Sequence, residues 1–553
     1  MPSFSRLYLT ALANRQVTFS SANEARSESA VAVNPMTPSN MICASKKFYN
    51  PALYMSTIGI SYSIDGGTTW QEVPLPPFPG HPEFTWLVDP DVVYDAEGTA
   101  AYLWAEPIAL APGSQPGPGE TMNCLAMVAY RSPDGGATWL GEAVVHSDIS
   151  DDKGWIAADD WQQTSPHAGT LYAFWGADTP LRFARSGDDA VTWQGVGASP
   201  AGSDVMVAGS NGLDGETYAP ATAVGPDGTI HVAWNFPDTS NIVYTRSLDG
   251  GQSFDPFKAV ATDAESLTAG LMEIDGFPTF PGANFRVLTM VTIAADASGQ
   301  VVLAWPDFRD GVARIYMVSS PDGGASWPSG GASSPLLPDF PPGPLQHFHP
   351  QLAVAGNGVI GCAFYEYGQK GPGAPRIDVR IAGTLPGGDQ FSDPVTVTDK
   401  PWDPTVKPPF SHGDPNLTFI GDYFGLAGGP DFFTTVWTDT RTGQQELFSA
   451  KVQVQVLQLP SGLSPEAVAQ VIYGVIQDGG GAVFVGGHVI HIPPWDPGID
   501  VLNSLGALSF ANEIRGPEGA AARAALWRAI GSIAAGREQE RPAGARSTRK
   551  KRR

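Results

Sequence analysis

Seven times along this chain one pattern recurs: an apolar strand, a turn, and a second strand ending in an aromatic near an acidic or amide residue. The copies read SAVAVNPMTPSNMICAS, DPDVVYDAEGTAAYLWAE, WIAADDWQQTSPHAGTLYAFWG, APATAVGPDGTIHVAWN, VTIAADASGQVVLAWPD, HPQLAVAGNGVIGCAFYE and DYFGLAGGPDFFTTVWTD. Each predicts the first two strands of one sheet, because short apolar runs bounded by Gly, Pro, Asn and Asp favour antiparallel pairing. About seven sheets follow.

A second repeat lies between these pairs. Its copies are SIDGGTTW from Ser63, SPDGGATW from Ser132, SGDDAVTW from Ser186, SLDGGQSF from Ser247 and SPDGGASW from Ser320. Asp accepts backbone N–H bonds, Gly supplies a positive φ and the hydroxyls close the turn, so the phrase describes a tight hairpin with an aromatic starting the outgoing strand. In the third copy Ala190 stands at the glycine position. If that position needs φ > 0, restoring glycine should relieve about 1 kcal/mol of strain. The sixth pair is followed by IDVRIAGTLPGGDQFSDPV, a decayed copy, and the seventh by the single strand ELFSAKVQVQV.

A repeat this specific, spaced by roughly one four-stranded sheet, belongs to radial repeat folds. It resembles the Asp-box (BNR) repeats of the sialidase-like β-propellers. The resemblance implies an all-β propeller of about seven four-stranded blades over residues 1–458. It puts the boxes on the hairpin between third and fourth strands, away from the ligand face, and makes Asp65, Asp134, Asp188, Asp249 and Asp322 turn residues. The N-terminal LYLTALANRQVTFS should pair with the short last sheet and close the ring, removing exposed edges.

After about Gln458 the pattern changes. A helix capped near Ser464 with Pro465 at its first turn, the strand AVFVGGHVIHI, and helices placing Leu526, Ile530 and Ile533 on one face predict a small α/β appendage over 459–536. Residues 537–553 read as a basic, solvated tail.

Composition narrows the function. A net charge of −24 excludes nucleic acid as partner of the main body. Cys43, Cys124 and Cys362 are too few for a disulfide framework and read as buried thiols. No apolar run is long enough to span a membrane, and the start MPSFSRLYLTALANRQ lacks a signal-peptide core. The reading is a soluble monomer, cytoplasmic by this N-terminus and extracellular by the resemblance.

Chemistry in such a fold sits on the loops leading into each first strand and on those joining second to third strands. The former carry Glu24, Arg26 and Glu28; His81, Glu83, Asp89 and Asp91; Asp151, Asp152 and Lys153; Asp214, Glu216 and Tyr218; Arg286; His347 and His349; and His412, Asp414, Asp422 and Tyr423. The latter carry Glu106, Asp178, Asp238, Asp307, Arg309, Glu366, Tyr367, Asp439 and Arg441. The resemblance implies an arginine clamp for a carboxylate, with Arg26, Arg286 and Arg441 as candidates and Arg309 as substitute. It also implies a tyrosine nucleophile with an acidic partner, Tyr423 or Tyr367 beside Asp422 or Glu366, in an exo-acting sialidase-type glycosidase, or else a glycan binder, whose open face takes a glycan or glycoconjugate.

Two departures stand against the clamp. Arg26 sits in EARSESAVAV rather than an Arg-Ile-Pro motif, and Arg309 and Arg441 share one repeat slot, WPDFR and WTDTR, where Asp–Arg pairs brace a loop. A face whose arginines pair with neighbouring acids would favour a non-catalytic scaffold for a protein partner. His347 and His349 alternate in QHFHP and so share a face, compatible with a metal or a stacked sugar. The acidic run at 147–153 reads as a solvated turn, with structural calcium as the alternative. No resident cofactor is implied.

Overall fold

The computed structural model describes residues 4–21, 23–177, 181–205, 217–236, 240–337, 343–369, 373–388, 390–459, 481–485 and 488–492. They divide into two compact units, the larger being Leu9–Gly387 with Pro394–Val454 and the smaller Met1–Tyr8, Gly388–Asp393 and Gln455–Arg553.

The larger unit is built from antiparallel sheets in chain order. The first four begin with strands Ala25–Val33, Trp86–Tyr94, Asp151–Ala158 and Tyr218–Val224, and the next three with Thr292–Ala295, Gln346–Val354 and Gly425–Gly428. Each first strand packs against the first strand of the next sheet, and that of the seventh sheet packs against that of the first. At Gly428 a Cβ would fall 1.8 Å from the Val354 carbonyl, so only glycine permits this approach between the seventh and sixth sheets.

Second strands such as Leu171–Ala177, Val301–Asp307 and Phe432–Asp439 are buried along their whole length. They read as continuous apolar runs because both sheet faces are covered. Trp104, Trp175, Trp305 and Trp437, the aromatics that end the repeated pattern, are fully buried. Cys43, Cys124 and Cys362 are buried free thiols.

The five box phrases form one turn. In the first, Ser63 Oγ donates to Asp65 Oδ1 at 2.9 Å, while Asp65 accepts the Thr69 N–H at 2.9 Å and its hydroxyl at 2.7 Å. Asp322 repeats the set with Ser326 and Ser320, and those hydrogen bonds pull its carboxyl down to about 2. Their bonds are spent inside the turn. Ala190 keeps the same geometry at φ 67°, donating its N–H to Ser186 Oγ.

Its methyl, however, is wholly buried in the core between the second and third sheets. Restoring glycine therefore relieves about 1–2 kcal/mol of left-handed strain but forfeits about 0.8 kcal/mol of methyl burial and about 0.4–1 kcal/mol of backbone entropy. The expected gain is offset. Ala190→Gly should leave the melting temperature within about 1 °C, checked by calorimetry.

The N-terminal segment pairs with the last strand of the seventh sheet, with Arg15 opposite Ser449 and Gln16 opposite Phe448. The Leu12 N–H donates to the Lys451 carbonyl and the Val17 N–H to that of Leu447. Thr18 Oγ1 and the Ser20 N–H both bond the buried Glu446 carboxylate. Deleting residues 7–20 strips these partners from a buried acid and frees a sheet edge, so the truncated chain should melt lower and aggregate in light scattering.

In the smaller unit, Gly481–Val485 and His488–Ile492 pair antiparallel, and Phe4 and Ser5 pair with Val485 and Phe484. The single strand expected here is thus two antiparallel strands. The helices expected near Pro465 and around Leu526, Ile530 and Ile533, and the basic tail, lie outside the described residues.

Candidate active site

Five of the first strands carry the same defect at the same point. Glu28, Asp89, Lys153, Ala219 and His349 have φ of 49°, 48°, 45°, 44° and 48°. Each lies where the register between first and second strands slips. Such a bulge re-aims a side chain, and each left-handed non-glycine residue costs on the order of 1–3 kcal/mol. Strain repeated at one slot clusters around one site.

Two of the five, Asp89 and Lys153, line a cavity of about 400 Å³. Its charges form a chain of buried contacts. Lys153 Nζ lies 3.1 Å from Asp89 Oδ1, 3.1 Å from Asp422 Oδ2 and 3.8 Å from Glu28 Oε1. Arg286 holds Asp422 through two bonds of 2.9 and 2.6 Å, and its other guanidinium nitrogen meets Ser411 Oγ at 3.2 Å and His412 Nε2 at 3.0 Å. Lys46 donates to Tyr54 Oη at 3.0 Å and lies 3.4 Å from Glu28. Every cation of the wall is matched by a protein acid.

The acids are not all matched. Asp89, Glu106 and Asp152 bring carboxylate oxygens within 4.8 Å of one another, and among the described residues they form the group able to share a divalent cation. Glu106 is buried and accepts the Lys153 N–H at 3.3 Å. Burial, then the charges of Asp152 and Asp89, hold its carboxyl well above the usual range. Asp152 opens onto the cavity, and its crowded setting, burial first, raises it to about 6. Burial opposes ionisation of Asp422, yet Arg286 and Lys153 hold it far below the ordinary carboxylate range. Burial thus disfavours ionisation of Glu106 in the cavity wall, while Arg286 and Lys153 favour that of Asp422 behind it.

The arginine clamp is not formed. Arg26 is buried against Glu72 at 2.9 Å and Ser20 at 3.0 Å, whereas Arg286 holds Asp422. Arg441 clasps Asp439 and meets Asp399 and Asn14. Arg309 repeats that clasp on Asp307, and in both loops a buried tryptophan N–H bonds the same aspartate. The shared slot is a brace.

The tyrosine nucleophile is not activated either. Tyr423 is buried, its hydroxyl 3.4 Å from the Pro90 carbonyl, and burial beside Glu28 and Asp89 drives its ionisation far up. Tyr367 packs on Phe280 and Phe285, and Glu366 bonds His347 at 3.0 Å. His347 and His349 do not share a face, because the slip between Phe348 and Gln351 interrupts the alternation. His349 lies instead within electrostatic reach of Asp422 and Arg286.

The acidic run at 147–153 is a solvated turn only at its start, where Ser147 and Ile149 are exposed; Asp151 and Lys153 are buried in a strand, and Asp152 joins the carboxylate trio. Asp178, Asp214, Glu216 and Asp238 lie outside the described residues.

Lys46, Tyr54, Glu120 and Phe277 also line the cavity, though nothing in the repeat pattern points to them. Phe277 comes from an inserted hairpin, Met272–Ile274 paired with Phe277–Thr279, and stacks on His412 at 5.2 Å. A readable signal for the slot does exist. Asp89, Ala219 and His349 each precede a proline inside a first strand, and proline there marks a bulge.

No family model matches the sequence, and no curated protein matches it. Among solved structures, a protein of unknown function from Dyadobacter fermentans aligns at 12% identity and TM-score 0.42 over 81% of this chain and 99% of that one. A Trypanosoma rangeli sialidase in complex with the inhibitor DANA aligns at 13% and 0.39, over 66% and 57% of the two chains. An α-L-arabinofuranosidase from Fusarium graminearum aligns at 10% and 0.35, over 80% and 98%. No helix of the described residues is long and apolar enough to cross a membrane.

Proposed function

We propose that the larger unit is a seven-bladed β-propeller and that its central cavity cleaves glycosidic bonds of uncharged sugars. One observation carries the reading: three carboxyl groups converge within 4.8 Å in a sugar-sized cavity. Glycoside hydrolysis needs a proton donor for the leaving oxygen and a carboxylate facing the developing oxocarbenium ion. Glu106, whose ionisation is opposed by burial and by the charges of Asp152 and Asp89, is the donor. Asp89, against the Lys153 ammonium, is the carboxylate. Asp152 supplies the charge that holds the proton on Glu106.

The sugar is uncharged because, among the described residues, the wall offers an anion no free cation. Arg286 already makes four hydrogen bonds, and Lys46 and Lys153 face acids. That argues against a sialic acid substrate. The braced Arg26 and Arg441 favour, as a second reading, a non-catalytic face gripping a protein.

A screen of fluorogenic glycosides separates the readings. Turnover of at least one uncharged glycoside, with sialosides untouched, is expected. Cleavage of sialosides alone, or no cleavage at all, contradicts the proposal.

The pH profile gives a further check. Removing the negative charge of Asp152 makes Glu106 easier to ionise, so Asp152→Asn should move the alkaline limb of kcat/KM to lower pH. An unmoved limb would exclude Glu106 as the donor.

A further inference from the structure

We infer that Tyr218 and Asp152 form a two-point recognition site for adjacent hydroxyls of the sugar, Tyr218 donating to one oxygen and Asp152 accepting from the other. This rests on the glycosidase reading above and adds the groups that select the substrate. Both side chains line the cavity. Among the described residues, neither the Tyr218 hydroxyl nor the Asp152 carboxylate has a hydrogen-bond partner, whereas Asp89, Lys153, Arg286 and Asp422 are bonded to one another.

The phenol ring is fixed. It is partly buried against Ala219, Leu288, Met290 and Tyr423, and Lys153 Nζ stands 6.0 Å from its centroid. A ring held on one side with its hydroxyl unbonded among the described residues is preorganised for a ligand, and no bond to those residues must break before it binds.

The two groups are complementary in chemistry. The Tyr218 hydroxyl is within electrostatic reach of Asp152 and Asp422, whose charges, with burial, oppose its ionisation. It therefore remains a donor. A carboxylate only accepts, so the pair matches a diol, in which one oxygen accepts while its neighbour donates. A site whose polar groups wait for substrate hydroxyls rejects analogues lacking them, because those groups are then left unpaired.

The test uses the full chain and whichever uncharged 4-methylumbelliferyl glycoside it hydrolyses fastest, with the monodeoxy versions of that glycoside. Tyr218→Phe keeps the ring and removes only the hydroxyl, so its melting temperature should match the parent. Its KM should rise about three- to tenfold, the size of one hydrogen bond. One monodeoxy analogue should lose that same factor with the parent and lose nothing further with Tyr218→Phe.

Asp152→Ala, which removes the acceptor, should couple in the same way to the neighbouring position. An unchanged KM for Tyr218→Phe, or full additive losses with every deoxy analogue, overturns the inference while leaving hydrolysis standing. If the parent hydrolyses none of the uncharged glycosides, and calorimetric titration with the free parent sugars shows no binding, the glycosidase reading fails and the diol site with it.

Discussion

Glu106→Gln should lower kcat by about 10²- to 10⁴-fold, the usual contribution of a positioned proton donor. The substitution is nearly isosteric, and a glutamine oxygen can still accept the Lys153 N–H that Glu106 accepts at 3.3 Å. Folding should survive, with an unchanged far-ultraviolet circular dichroism spectrum. Substrate affinity should hold as well, because what is lost is a proton needed only in the transition state. A variant with parental kcat would remove Glu106 from the chemistry.

The second large effect falls on stability. Asp422 is buried between Arg286 and Lys153, with contacts of 2.6 and 3.1 Å. Removing Asp422 leaves the buried Arg286 charged and without its acid, at a cost of about 3–5 kcal/mol. Asp422→Ala should therefore unfold at markedly lower urea concentration, with an unchanged slope.

The pH dependence has a definite sign. A carboxyl whose folded pKa is depressed contributes stability that is complete above its unfolded value near 4 and is lost as pH falls towards the folded value. The gap between parent and Asp422→Ala should be full at pH 7 and shrink below about pH 4. A constant gap would mean that Asp422 contributes through packing rather than charge.

The fold was far more legible than the site because its signals are local. Apolar strands, Asp-Gly turns and the SxDxGxTW phrase each report on a few consecutive residues, and the observed sheets begin where those signals put them. Pairing of the N-terminal segment with the last sheet followed from counting strands.

The site was legible as a set of residues but not as an arrangement. Glu28, Asp89, Glu106, Asp152, Lys153, Arg286 and Asp422 all fall on the loops and strand starts marked for function. Choosing among them depended on the resemblance, which favoured arginines and tyrosines. Simple alternation also misplaces side chains wherever a strand bulges. Arg26 and Glu28 are two residues apart, yet Arg26 meets Glu72 while Glu28 meets Lys46 and Lys153. Lys46 was hidden for another reason: it reads as one of two lysines inside an apolar strand, and the left-handed Glu28 gives it a buried acid.

The central claim is that a glycoside is cleaved in the cavity of Asp89, Glu106 and Asp152. Its most direct test is a crystal structure of Glu106→Gln soaked with the uncharged glycoside that the parent hydrolyses best. The account predicts an intact glycoside in this cavity, with its glycosidic oxygen in hydrogen-bond reach of residue 106. A glycoside bound instead in the separate cavity of about 550 Å³ lined by Val33, Val224, Ala295, Val354 and Gly428 would contradict it.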